Sequence, residues 1–217
     1  MSKTRGTRKK QRRIVRRPTK GIPKSSTRPQ SRGALLRQAP EWPLRECLLS
    51  KNWQDPHEIV QAVIARQSPE GQIAAAVFLI DLGCLGLKNG FTRLFSSQKE
   101  YRQLRNEIRE RQKMAKSDLN LVAKVIQEAI AYAQSLGFAP HPDTRRGMQF
   151  LADADPDACK TPIPLGDGTG KPFFVAGPYD NARAVIAKLE QAVEPGGYDY
   201  IVPLSGEEEL DLLDEAW

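Results

Sequence analysis

The sequence predicts an α+β fold, with a mixed or largely antiparallel sheet and packed helices. Two apolar segments, 58–67 and 71–82, flank the turn SPEG and indicate a long antiparallel hairpin. Later segments repeat their apolar residues at three and four positions, as amphipathic helices do. Strand-like and helical patterns then alternate toward the end of the chain, which favours one sheet with helices packed on it.

The first strands are predicted from composition. LRECLLS (44–50) is predicted to form the first strand. The second strand of the hairpin, GQIAAAVFLIDL, is almost wholly apolar, which predicts a central strand covered on both faces. The following segment, GCLGLKNGF (83–91), contains three glycines. We expect it to form a loop or a very short helix.

Two long helices follow in the prediction. Ser97 and Glu100 have the S-x-x-E spacing of a capping box, which predicts a helix over about 98–114. Ser117 or Asp118 is expected to begin the next helix, because apolar residues recur after them at helical spacing.

The last third of the chain is predicted to return to mixed structure. A short helix is expected after Pro142, and the stretch 162–177 indicates a second hairpin around a glycine-rich turn. Asp180 is predicted to cap the helix NARAVIAKLEQAV. The segment YDYIVPL (198–204) is then expected to close the fold as a strand.

Charge divides the 217 residues into three parts. Residues 1–40 hold fourteen Lys or Arg, no acid and four prolines, which predicts a disordered basic arm. Residues 41–204 are predicted to be a single α+β domain that is close to neutral. Residues 205–217 form an acidic tail with six acids and no basic residue.

The basic arm predicts nucleic acid as a partner, with RNA slightly favoured over DNA. Lys and Arg at this density neutralise phosphates and release counterions, which gives binding that depends on salt and not on sequence. No aromatic residue precedes Trp42, so the arm offers no base stacking. A solvated tail and a nuclear address are the alternatives. The predicted phosphate contacts are Arg5, Arg8, Lys9, Lys10, Arg12, Arg13, Arg16, Arg17 and Lys20.

The acidic tail predicts a protein contact. Leu210, Leu213 and Trp217 lie among the acids and are candidates for docking in a groove of a protein partner. Folding back on the basic arm and remaining solvated are the alternatives. Docking in a protein partner through this tail would make the chain an interaction adaptor.

One group of residues suggests chemistry. Asp81, Cys84 and Lys88 are three and four positions apart, a spacing that on one helical turn would serve a small hydrolase or nuclease. The favoured interpretation is a strand end with an ion pair and a small core cysteine. No catalytic residue is therefore predicted, and the body is expected to be a scaffold or partner-binding module in a larger complex.

The remaining motifs exclude several classes. GDGTGK (166–171) fails the phosphate-loop pattern at both ends, since Leu165 stands where the first glycine belongs and Pro172 follows the lysine. The three cysteines form no CxxC pair, so a reducing compartment is expected, with no metal site and no cofactor. No apolar run reaches membrane-spanning length, and a cytoplasmic protein with no membrane contact is expected.

Five motifs between Leu44 and Val202 carry a resemblance to known sequences. They are ECLLSKNW, GQIAAAVFLIDLGCLGLKN, EAIAYAQSLGFAPHPD, GKPFFVAGPYDN and GGYDYIV. In this order they resemble an uncharacterised family of bacterial domains without a known activity. The resemblance implies a bacterial source and no particular function, and it does not extend to the basic arm or the acidic tail.

Overall fold

The computed structural model describes residues 31–55 and 57–203. In chain order its helices and strands are α1 (Arg32–Gln38), β1 (Leu44–Ser50), β2 (Val60–Gln67), β3 (Ile73–Asp81), β4 (Gly86–Phe95), α2 (Gln98–Arg111), β5 (Met114–Lys116), α3 (Leu119–Ser135), α4 (Thr144–Met148), β6 (Phe173–Val175), α5 (Ala182–Ala192) and β7 (Asp199–Ile201). Three short 3-10 helices lie at Ala39–Glu41, Gln149–Leu151 and Pro156–Ala158. The predicted α+β class is confirmed.

The main sheet has five antiparallel strands in the order β4-β3-β2-β1-β5. The predicted first strand and the hairpin of β2 and β3 are confirmed, and Ser68 and Gly71 close the turn between them with a main-chain bond of 3.0 Å. Every residue of β3 except Leu79 is buried, because helices cover both faces of the sheet. One face packs against α3 through Ile126 and its neighbours, and the other packs against α2 through Tyr101.

The prediction of a loop or very short helix at 83–91 is wrong, since β4 begins within that segment. Gly90 pairs with Phe78 of β3, and Gly86 has a φ of +68°. A Cβ atom on Gly86 would lie 2.7 Å from the Cβ of Ala133 in α3. The glycine is therefore required for close packing of a strand on a helix, and it does not mark a break in regular structure.

The helix α2 begins as predicted but ends earlier. The Ser97 hydroxyl accepts a bond from the Glu100 amide (3.2 Å), and the Glu100 carboxylate accepts one from the Ser96 amide (3.0 Å). The predicted end near residue 114 is wrong, because Met114–Lys116 forms the edge strand β5 beside β1.

The prediction for α3 is confirmed. Its N-cap is Asp118, whose carboxylate accepts a bond from the Asn120 amide (2.8 Å). Gly137 follows the helix with a φ of +81°, as a left-handed C-terminal residue does. The short helix expected after Pro142 is present as α4.

The second hairpin predicted over 162–177 is wrong. Only β6 lies there, and it pairs in parallel with β7 across the connection through α5. The expected strand at 198–204 is present at the residues of β7. Asp180 does not cap α5 either, because Asn181 accepts the bond from the Ala184 amide (3.1 Å).

The compact unit begins at Ser31, ten residues before the predicted domain boundary. Ser31 caps α1, Leu35 and Leu36 pack against the core, and Ala39 is fully buried. Residues 31–40 therefore belong to the folded unit and not to the basic arm. The predictions for residues 1–30 and for the acidic tail fall outside the described residues.

Candidate nucleic-acid interface

A groove of about 600 Å³ lies at the β4 edge of the sheet, between α1 and α4. Arg37, Arg145 and Arg146 line it, and all three side chains are exposed. None of the three forms an ion pair with another described residue, and Asp143 is the one acid of the lining. We call this surface the arginine groove. Its excess of positive charge favours the approach of anions.

The helix α4 presents two of these arginines because its other face is anchored to the sheet. Thr144 is buried and donates its hydroxyl to the His141 carbonyl (2.5 Å). A Cβ atom on Gly147 would lie 2.8 Å from the Phe78 ring, so this position is in direct contact with the core. Arg145 and Arg146 lie between these two anchors on the short helix, and they therefore face solvent.

The helix α1 brings the third arginine to the groove. The Arg32 guanidinium donates to the Leu94 carbonyl of β4 (2.7 Å) and to the Ser96 hydroxyl (3.3 Å). Leu35 packs against the core, and Arg37, five residues after Arg32 on the same helix, lines the groove.

The main chain of β4 adds further hydrogen-bonding groups to the groove. Residues of an antiparallel strand direct their N–H and C=O groups alternately toward and away from the neighbouring strand. The Leu94 carbonyl faces away from β3, since it binds Arg32, and Thr92 and Gly90 follow at two-residue spacing in the register. The Gly90 amide donates to the Asn89 side-chain oxygen (2.7 Å). The Gly90 carbonyl and both main-chain groups of Thr92 have no partner among the described residues.

Phe91 lies in the strand that borders the groove, and it is 44 % exposed. Its register partner Val77 belongs to the core cluster on the α2 face of the sheet. Because side chains alternate along a strand, the Phe91 ring projects from the face opposite to α4 and away from Arg145 and Arg146. Sequence reasoning missed Arg145 and Arg146; the adjacent arginines on a predicted short helix were the available signal.

The residues predicted to bind nucleic acid lie outside the described residues. The same holds for the three residues predicted to bind a protein partner. Both sets stay predictions. They are Arg5, Arg8, Lys9, Lys10, Arg12, Arg13, Arg16, Arg17 and Lys20 for nucleic acid, and Leu210, Leu213 and Trp217 for the partner.

The structure places Asp81, Cys84 and Lys88 together, at the junction of the main sheet with β6 and α5. The Asp81 carboxylate accepts bonds from the amides of Cys84 (2.9 Å) and Leu85 (3.3 Å) and so closes the turn after β3. Lys88 donates to Asp180 (2.5 Å), and both of these side chains are mostly buried. Each polar group is thus occupied by a structural contact, which gives the hydrolase or nuclease alternative no support.

Burial also opposes nucleophilic chemistry at this junction. Cys84 is fully buried, and burial, followed by the charge of Asp81, raises the pKa of its thiol. The thiolate is the nucleophilic form, so the thiol at this position is unreactive at neutral pH. Burial likewise raises the pKa of Asp81 above its usual value, while the Cys84 amide and Lys88 lower it in part.

This shift predicts how stability depends on pH. The folded protein retains the Asp81 proton at pH values at which the unfolded chain releases it, so the stability that Asp81 contributes decreases as pH rises above about 4. Asn does not titrate but keeps the acceptor oxygen. We therefore expect the unfolding free energy of Asp81→Asn to rise relative to that of the wild type as the pH increases from 4 to 7.5, as measured by urea denaturation.

Asp143→Asn is the matched control for this prediction, because the Asp143 side chain is 72 % exposed. Like Asp81→Asn, it replaces a carboxylate by a carboxamide, but at the protein surface. A difference between Asp81→Asn and the wild type that stays constant over this pH range would contradict the prediction.

The segment GDGTGK is a closed turn in the structure. The Asp167 carboxylate accepts bonds from the Thr169 amide (2.8 Å) and hydroxyl (2.7 Å) and from the Lys171 amide (3.3 Å). These bonds lower the pKa of Asp167, with the Thr169 hydroxyl bond contributing most. The amides that a phosphate loop would direct at its ligand are therefore bound to the protein's own carboxylate.

Within residues 31–55 and 57–203, no three side chains of His, Cys, Asp or Glu converge as metal ligands would. His57 packs its ring edge against Phe173, with ring centroids 4.6 Å apart. The three cysteines are free. In the same ranges, no helix combines the length and apolar character that crossing a membrane requires.

The fold and the groove define an α+β domain with a basic groove at the edge of its sheet. A scan against protein-family models, a search of curated proteins and a search of solved structures found no match to this chain. The resemblance to the bacterial domain family gains no support from these comparisons. Argument about function therefore depends on the residues themselves.

Proposed function

We propose that this chain is a non-enzymatic accessory protein that binds the phosphate backbone of nucleic acid, with RNA slightly favoured over DNA. Binding uses the basic residues of segment 1–30 together with the arginine groove. The body then acts as a scaffold or partner-binding module in a larger complex. The three free cysteines agree with a cytoplasmic location.

The observation that carries this proposal is the convergence of Arg37, Arg145 and Arg146 on one groove without acidic partners among the described residues. Guanidinium groups bind phosphates with two parallel N–H donors, and in this groove they are exposed and available. The main-chain amide of Thr92, which has no partner among the described residues, is a further donor for a phosphate oxygen.

The basic segment adjoins α1 in the sequence. Ser31 caps α1, and the twelve Lys or Arg of residues 1–30 precede it in the chain. Both the segment and the arginine groove carry an excess of cations, so we expect each of them to contribute to the affinity of the full chain for a polyanion.

Fluorescence anisotropy with labelled single-stranded RNA, single-stranded DNA and duplex DNA between 50 and 200 mM salt tests the proposal. Replacement of Arg37, Arg145 and Arg146 by Gln is expected to weaken binding about tenfold or more, because charge-assisted bonds to phosphate are lost. On duplex DNA the salt slope is expected to decrease by about 0.9 for each phosphate contact removed. Deletion of residues 1–30, which keeps the Ser31 cap, is expected to weaken binding further.

The matched control replaces Lys99, Arg102 and Arg111 by Gln. These three cations are exposed on α2, on the opposite face of the sheet, and they lie outside the arginine groove. Their loss changes net charge equally and is expected to alter affinity only slightly. No binding by the full chain at 50 mM salt would exclude the proposal. Equal losses in the groove variant and the control would exclude the groove.

A further inference from the structure

A second basic surface lies at the other edge of the main sheet, between β1, α2 and β5. It is a cleft of about 560 Å³, which we call the β1–α2 cleft. Four cations and one acid line it, so its charge is more positive than that of the arginine groove. The charged lining residues are Arg45, Glu46, Arg105, Arg109 and Lys116.

Two of the four cations are held in position by the protein. Arg105 forms an ion pair with Glu46 (3.2 Å). Arg45 donates to the Gln67 side chain, and its guanidinium lies over the Tyr101 ring at 5.9 Å from the centroid. Guanidinium groups fixed in this way lose little conformational entropy when they bind an anion.

The other two cations have no acidic partner among the described residues. Arg109 extends from α2, and Lys116 lies at the end of β5. Both side chains are exposed. Four positive charges against the single carboxylate of Glu46 leave an excess that structural ion pairing does not neutralise.

The fixed guanidinium groups also have hydrogen-bonding capacity that the protein does not satisfy. The Nε atoms of Arg45 and Arg105 are buried and have no hydrogen-bond partner among residues 31–55 and 57–203. Buried donors are nearly always paired in folded proteins, and an exception needs an explanation such as a bound ion.

We propose that the β1–α2 cleft binds the phosphate or diphosphate group of a small ligand. A compact anion with two or more charges matches four converging cations and the bidentate geometry of guanidinium. The lining of the cleft includes Leu44, Cys47 and Ser117 but no aromatic side chain on which a base would stack. This inference does not depend on the proposed nucleic-acid function.

The cleft and the arginine groove are separate sites. β4 and β5 are the two edge strands of a five-stranded sheet, so four strand spacings separate them. At about 4.8 Å for each spacing, the two edges are about 19 Å apart. A single phosphate group cannot contact both surfaces.

Isothermal titration of the full chain with inorganic phosphate, pyrophosphate or a nucleoside diphosphate tests the proposal, with sodium chloride at equal ionic strength as the reference. We expect pyrophosphate to bind the wild type, and Arg109→Gln with Lys116→Gln to weaken its binding about tenfold or more. The matched control, Lys99→Gln with Arg111→Gln, also removes two charges from the neighbourhood of α2, and it is expected to bind pyrophosphate as the wild type does. Equal affinities for pyrophosphate and the nucleoside diphosphate would show that the cleft recognises the diphosphate group alone. Tighter binding of the nucleoside diphosphate would show that the cleft recognises the diphosphate group and also contacts the nucleoside.

Three results would overturn the proposal. One is the absence of binding by all three probes, and another is an equal loss in the control. The third is a loss of RNA affinity in the Arg109 and Lys116 variant as large as in the arginine-groove variant, which would make the cleft part of the nucleic-acid surface. Failure of RNA binding in the wild type would leave the pyrophosphate measurement unaffected, so the two proposals fail separately.

Discussion

Replacement of Arg66 by Leu is expected to lower the unfolding free energy by about 3–5 kcal/mol and the thermal midpoint by about 10 °C. Arg66 is the penultimate residue of β2, the central strand of the main sheet, and is 2 % exposed. A charged side chain is retained at such a position only where its donors are satisfied. Calorimetry and urea denaturation measure both quantities.

The size of this effect follows from what the guanidinium contacts. It donates to the Trp42 carbonyl (2.8 Å) and twice to the Phe150 carbonyl (2.8 and 3.2 Å), and it forms an ion pair with Asp153. These bonds connect the segments after α1 and α4 to the sheet. Leu would leave two buried carbonyls without donors, and each such group costs about 1–3 kcal/mol.

The Asp153 partner adds a dependence on pH. Its bond to Arg66 holds the pKa of the Asp153 carboxyl below the usual range. The stability from this pair is therefore present above about pH 4 and decreases as the pH falls through the folded pKa. The side chain is 58 % exposed, so solvent screens the pair and this contribution is small. This dependence of stability on pH is expected to be absent in Arg66→Leu.

Arg93→Leu is the matched control for Arg66→Leu. Arg93 belongs to the same sheet but is exposed, with its guanidinium over the Phe95 ring at 5.2 Å. We expect a loss of about 0.5–1 kcal/mol from this contact. Similar losses in the two variants would show that the buried hydrogen bonds of Arg66 do not have the stabilising role assigned to them.

Replacement of Gly86 by Ala is expected to destabilise the protein by about 3 kcal/mol, from two separate causes. The φ of +68° disfavours any residue with a Cβ atom. The added Cβ would also lie 2.7 Å from the Cβ of Ala133 and 2.9 Å from the Ala129 carbonyl. Because Ala129 contributes main chain of α3, the contact cannot be relieved by a side-chain rotation, and α3 would have to move away from β4.

Gly137→Ala separates the two causes. Gly137 has a φ of +81°, and a Cβ atom there would meet nothing within 4 Å. Only the left-handed strain remains at this position, so we expect a loss of about 1 kcal/mol. Urea denaturation of both variants gives the difference, which is the contribution of the close packing. Equal losses would contradict the role assigned to the contact between β4 and α3.

The elements predicted correctly are those whose signals are local. The turn between β2 and β3 depends on Gly71 and its neighbours, and the start of α2 depends on Ser97 and Glu100. The apolar residues that predicted α3 recur at helical spacing within a single helix. The strand β4 was missed because its glycines serve contacts with distant residues, such as the contact of Gly86 with Ala133.

The candidate site was predicted only in its chemistry. The excess of Lys and Arg near the start of the chain indicated a polyanion partner, and the arginine groove agrees with that expectation without testing it. The groove itself depends on Arg37 meeting Arg145 and Arg146, which are far away in the sequence. No periodicity or spacing relates these positions.

The α+β class, the first hairpin, the capping of α2 and the start of α3 follow from the sequence alone, because these features depend on neighbouring residues and on repeats of two or about four positions. The other features depend on contacts between distant segments. Such contacts pair β6 with β7 in parallel, place Met114–Lys116 beside β1 as an edge strand, and attach α1 to β4 through Arg32. Each of these contacts joins segments that acquire their partners only when the chain is compact, and the surfaces on which both binding proposals depend are formed by such contacts.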